Sequence, residues 1–130
     1  MKKIILILLA VIVVLGLGAG ALIFLGGEKA PEPYNLDPGE YFVTDIQESL
    51  GLLKSDLIIQ MRDKQEQKVY AEEMHIIRND IIFILRNKTE TQLKTPDIEN
   101  QLSEEICSSL NQEFDCEDFQ RVYFNEFAIQ

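Results

Sequence analysis

The sequence predicts an α+β protein: a single N-terminal transmembrane helix followed by a small exported domain with a short antiparallel or mixed sheet and two main helices. Three observations carry this expectation. An uncharged apolar run lies near the N-terminus, two central segments repeat apolar residues at helical spacing, and β-branched and aromatic stretches lie on either side of them. The expected organisation is a cytoplasmic tip at 1–3, a span at 4–25, a linker at 26–39 and an extracytoplasmic domain at 40–130.

The run from Ile4 to Leu25 holds 22 residues without a charge or strong polar group. As a helix it spans roughly 33 Å, the thickness of a bilayer core. A cleaved secretory signal has a shorter apolar region and a small-residue cleavage site, which Gly18–Ala19–Gly20–Ala21 imitates. Leu22, Ile23, Phe24 and Leu25 extend the run past that point and favour an uncleaved anchor. Lys2 and Lys3 hold the N-terminus in the cytoplasm by the positive-inside rule, which puts the remainder beyond the cytoplasmic membrane, in the periplasm or outside. Gly16 and Gly20 form a small-xxx-small pair, a candidate helix-association face, although glycine is common in spans for other reasons.

Lys2 and Lys3 are the only charges before Glu28, so the rest of the chain sets 10 basic against 22 acidic residues, net −12. A domain this acidic repels nucleic acid and anionic headgroups. Cys107 and Cys116 both fall in the exported part, where a disulfide is permitted. Two thiols that never meet are the alternative, and spacing does not decide between them.

The linker contains Pro31, Pro33 and Pro38, which favour an extended spacer. Tyr34 and Leu36, with Asp37 beside them, are handles a pure spacer does not need. They are expected to contact a partner or neighbouring subunit and not their own domain. EYFVTDI (Glu40 to Ile46) reads as a strand, and Gly51 suggests a turn. Lys54 to Asp63 reads as a second strand with Leu57, Ile59 and Met61 on one face. From about Lys68 to Asn87, Val69, Glu73, Ile77, Ile81 and Leu85 recur every four residues, the pattern of an amphipathic helix with Glu73 intruding. Thr89 and Gln92 have capping-box spacing. Thr95, Pro96 and the acids Asp97 and Glu99 predict an N-cap at Thr95 for a helix that buries Ile98, Leu102, Ile106 and Leu110. In the final stretch, RVYFNEFAIQ, strict alternation points Val122, Phe124 and Ala128 one way and Tyr123, Phe127 and Ile129 the other. Apolar residues on both faces predict an interior strand paired on both sides, the alternative being an edge kept open for a neighbouring subunit.

Catalytic constellations are sparse. His75 is the one histidine, expected on an exposed helix face among Glu72, Glu73 and Arg78. One histidine and two distant thiols make a poor metal site. No glycine-rich phosphate loop or Ser/Cys–His pairing is found, so neither an enzyme nor a cofactor is expected. A redox or hydrolytic role rests only on Cys107, Cys116 and His75.

The short Lys-led tip, the single span, the YNLDP linker, the segment RNDIIFILRNKTETQLKTPDIENQLSEEI and the closing VYFNEFAIQ together resemble the FliL family of flagellar basal-body-associated membrane proteins. The resemblance runs in order along nearly the whole chain. It implies a domain related to the stomatin and prohibitin fold and a homo-oligomeric ring around the flagellar stator units. The linker would then face the stator's own periplasmic segment, and the function would be structural support of motility. A stomatin-like membrane scaffold unconnected to motility is the alternative. The QESLGLL stretch and the two cysteines depart from the pattern.

Overall fold

The computed structural model describes residues 3–4 and 30–130, of which Pro31–Gln130 form one compact unit. The expected span and the Gly16/Gly20 pair lie outside the described residues. Among the described residues no helix is long and apolar enough to cross a membrane.

The sheet is built around one long strand. Strand β3 (Leu52–Met61) pairs antiparallel along one edge with β1 (Tyr34–Leu36) and β2 (Phe42–Asp45), and along the other with β4 (Phe119–Ile129). Leu53, Ser55, Leu57, Ile59 and Met61 of β3 are all buried, whereas the intervening residues are not. One face therefore meets the core and the other meets solvent, as the two-residue period requires. Gly51 lies so close to β4 that a Cβ there would come within 3.0 Å of the Gln130 carbonyl, which explains glycine at this turn.

Between β3 and β4 come a 3-10 turn (Lys64–Glu66) and helices α1 (Gln67–Glu72), α2 (Met74–Arg86), α3 (Glu90–Leu93) and α4 (Ile98–Glu113). Helix α2 packs on β2 and α4, and α4 on β4. The expected stripe holds for Ile77, Ile81 and Leu85, all fully buried. It fails at the start, because the helix breaks at Glu73, the charged intruder. The break rotates α1, so Tyr70 is buried and Val69 is exposed. The capping box at Thr89 and Gln92 has both its bonds. Thr95 does not cap α4: its hydroxyl donates back to the Thr91 carbonyl, and regular helix starts at Ile98 after Asp97. Ile98, Leu102, Ile106 and Leu110 are buried as expected.

Two expectations are corrected. The linker residues Tyr34 and Leu36 are not free for a partner, because they form β1, with Leu36 buried at 5% exposure in the domain's own core. The cause lies in β3: β2 covers only Leu52 to Ser55, which leaves Ile59 to Met61 with an unpaired edge that β1 fills. Pro33 and Pro38 bracket the pairing residues, and the Lys64 N–H to Glu32 carbonyl bond (2.7 Å) adds to it. The folded unit therefore begins near Pro31 and not at 40.

The second correction concerns β4, which among the described residues pairs only with β3 and is an edge strand. Bulges shift its register twice, between Asp56 and Leu57 and between Gln60 and Met61 of β3, leaving Asn125 and Gln120 of β4 as the extra residues. Each extra residue reverses the parity. Phe119, Val122, Phe124, Phe127 and Ile129 thus all lie opposite core-facing residues of β3, while Arg121, Tyr123, Glu126 and Ala128 share the outer face.

Candidate functional site

The sequence-predicted residues do not converge on a reaction centre. His75 is exposed, with its Nε2 4.0 Å from a Glu73 carboxylate oxygen. Among the described residues, no group of three or more His, Cys, Asp or Glu is placed to hold a metal ion. The disulfide considered for Cys107 and Cys116 is not formed, and both thiols are free. Cys107 is buried in α4, and burial pushes its thiol up to about 11, with Arg121 and Ser103 opposing the shift. Cys116 Sγ instead lies 3.4 Å from the Tyr70 hydroxyl and 3.6 Å from Asn111 Oδ1. Asp37 is exposed, and its carboxylate accepts from the Gly39 N–H at 2.9 Å, shaping the turn between β1 and β2.

What the fold assembles is a set of devices that attach its extended segments. At the β1–β2 turn, Gly39 has φ +108°, a region that favours glycine. Arg78 of α2 donates to the Pro38 carbonyl at 2.7 Å and the Glu40 carbonyl at 3.3 Å, and its guanidinium lies 4.2 Å from the centroid of the Phe42 ring. A Cβ at Gly39 would meet that guanidinium at 3.0 Å, so the turn and the arginine fit only with glycine there. The segment entering from the N-terminal side is thus clamped by one cation as well as paired as a strand.

A second attachment lies where α1, β3 and β4 meet. Asp118 is buried at 6% exposure, accepts from the Tyr70 hydroxyl, and pairs with Arg62 at 3.1 Å. Tyr70 also packs edge-on against Phe114 and Phe119, with ring centroids 5.4 and 5.0 Å away. Its hydroxyl is driven strongly upward in pKa, first by burial and then by the Asp118 and Cys116 bonds. The Tyr34 hydroxyl is buried with no partner among the described residues, and burial with the nearby Asp118 charge pushes it up to about 12. An open cavity of about 270 Å³, lined by residues including Pro31, Arg62 and Gln120, adjoins this end of the sheet.

The third device acts on the edge of β4. Asn111 of α4 accepts the Phe119 N–H and donates to the Phe119 carbonyl, both at 3.0 Å, as a neighbouring strand would. Ser103, buried in α4, accepts the Val122 N–H at 2.9 Å. The first half of the edge is therefore capped by side chains. Sequence reasoning missed Arg78, Ser103, Asn111 and Asp118. The only available signal was polar side chains adjoining the apolar stripe of a helix, at Ser103 beside Leu102 and Asn111 beside Leu110.

Among the described residues, the outer sheet face carries no helix. Tyr41, Val43, Leu52 and Tyr123 are exposed on or beside it, with Lys54 over the Tyr41 ring at 4.2 Å and Arg121 over the Tyr123 ring at 5.3 Å. These are surfaces and anchor points suited to binding.

The family model described as flagellar basal body-associated protein FliL matches residues 36–130. The chain is also similar to the flagellar protein FliL of Aquifex aeolicus, with 30% identity over 99 residues, which make up 75% of this chain and 60% of that relative. The chain thus spans about 60% of the length of that curated relative.

Proposed function

Because the chain belongs to the FliL family of flagellar basal body-associated proteins, we propose that it is a membrane-anchored structural accessory of the flagellar motor. In this reading one N-terminal span holds it in the cytoplasmic membrane with the N-terminus inside. The folded unit lies on the far side, in the periplasm or outside, and copies associate into a ring around the stator units and support their assembly or activity. The observation that carries the proposal is that the family match runs from Leu36 in β1 to the end of the sequence, taking in nearly the whole compact unit. The apolar run from Ile4 to Leu25 supports the anchor. The related scaffold reading, unconnected to motility, would share the anchor and self-association but not the motor.

The test is the motor itself. Deleting this chain should lower swimming speed and the number of fluorescently tagged stator units per motor, and imaging should lose density around each stator. Unchanged speed, stator occupancy and density would remove the proposal and favour the motility-independent scaffold.

A further inference from the structure

The free edge of β4 is capped over one half and open over the other. Asn111 and Ser103 satisfy the main chain at Phe119 and Val122. Beyond Val122 no side-chain cap is present among the described residues. Leu52 and Gln130 exchange both main-chain bonds, at 2.9 and 2.8 Å. Partners alternate along an antiparallel ladder. It follows that Glu126 and Ala128 direct their main-chain groups to β3, while Phe127 and Ile129 direct theirs to the open edge. The half-buried Phe124, Phe127, Ala128 and Ile129 make this edge apolar as well as unpaired.

We propose that the open half of β4, Phe124 to Gln130, pairs antiparallel with the same segment of a second copy about a two-fold axis at Phe127. This rests on the anchored, self-associating reading above and assigns it a surface. Charge selects the occupant. The chain carries a net −10, yet this segment holds one charged side chain, Glu126, so a second copy approaches here with little side-chain repulsion. An axis at Phe127 sets Glu126 opposite Ala128 of the second copy instead of opposite its own counterpart. The two Phe127 residues exchange two main-chain hydrogen bonds, and Asn125 comes opposite Ile129. Such a contact is self-complementary and complete at two copies, so a ring of these chains needs a further surface elsewhere. One strand a side is far smaller than the roughly 20–30 residues a side of a stable complex. Pairing therefore depends on tethering in one membrane, which raises effective concentration.

The register makes the inference testable with the full chain in phosphatidylcholine vesicles. Glu126→Cys and Ala128→Cys chains, each also carrying Cys107→Ser and Cys116→Ser, should form disulfide dimers in mixture at several times the yield of either alone. Ala128→Glu places a carboxylate opposite Glu126 of the other copy twice per pair. Resonance energy transfer between labelled chains should then report association roughly 2- to 30-fold weaker. Glu126→Lys with Ala128→Glu should restore it. Within one domain Ala128 faces Lys54 and Glu126 faces Asp56, so these changes favour the β3–β4 ladder, and thermal melts should not fall. Association that ignores the charge series, with no excess cross-linking in the mixture, would overturn edge pairing and leave self-association through another surface. Wild-type chains that stay apart even at high density in the vesicle would overturn self-association too.

Discussion

Replacing Leu36 by alanine separates a docked strand from a tether. Leu36 is 5% exposed in the core cluster, while its neighbour Asn35 is exposed on the same three-residue strand. Leucine-to-alanine changes in cores cost about 2–5 kcal/mol, least where surroundings collapse into the gap. A strand of three residues, joined to β2 by a glycine turn, can shift inward, so about 2–3 kcal/mol is expected. Against a total of about 5–15 kcal/mol, that is a large share. Each kcal/mol moves the midpoint of a domain of this size by about 4–8 °C. Thermal and urea unfolding of the compact unit Pro31–Gln130 should therefore show Leu36→Ala melting roughly 8–24 °C below the parent, with an unchanged urea slope. Asn35→Ala should lie within about 0.5 kcal/mol of the parent, as surface changes do. If the two variants melt together, β1 is not docked in the isolated domain, and Tyr34 and Leu36 return to being handles for a partner.

Asn111→Ala leaves the N–H and carbonyl of Phe119 without side-chain partners in a part-buried setting and should cost about 1–3 kcal/mol. Hydrogen exchange should show faster exchange of the Phe119 amide in this variant, and Ser103→Ala should do the same at Val122; unchanged exchange at both amides would deny the capping role. Asp80 lies in α2 with one carboxylate oxygen buried and without a partner among the described residues, and its pKa is raised by burial and then by the Glu113 charge. A carboxyl with a raised folded pKa favours folding below its unfolded value and loses that contribution as pH rises through the folded value. Asp80→Asn should therefore raise the melting temperature at pH 7 and lose its advantage near pH 3, and equal melting at pH 7 would mean that the buried oxygen costs nothing.

Much of the fold was legible because burial follows period. Ile77, Ile81 and Leu85 on α2 and Leu57, Ile59 and Met61 on β3 are buried where spacing alone places them, and the antiparallel sheet with two main helices follows from the same signals. Glu73 in the first stripe was a real warning, since the helix breaks there. The linker misled because prolines speak against helix but not against an edge strand. Whether Tyr34–Leu36 pairs depends on a vacancy along β3, some 25 residues away in sequence, which no local pattern records.

The misreading of β4 has a more general cause. Alternation assigns a face only while every residue advances the strand by one step, and a bulge spends a residue without advancing the pairing. In VYFNEFAIQ the inward residues fall at 122, 124, 127 and 129, a two–three–two spacing that simple parity reads as two apolar faces. An interior strand looked necessary only because both faces looked apolar. Once Asn125 is taken out of the count, the strand has one apolar face, and an edge position needs no second strand to cover the other. The same correction explains why α4 carries Asn111 and Ser103. An eleven-residue edge strand exposes a row of unpaired main-chain groups that invites association along its whole length. Capping Phe119 and Val122 from the helix, and kinking the strand at Asn125, confines that invitation to the last few residues. The feature that hid the strand's position from the sequence is thus also one that limits where a second chain can pair with it.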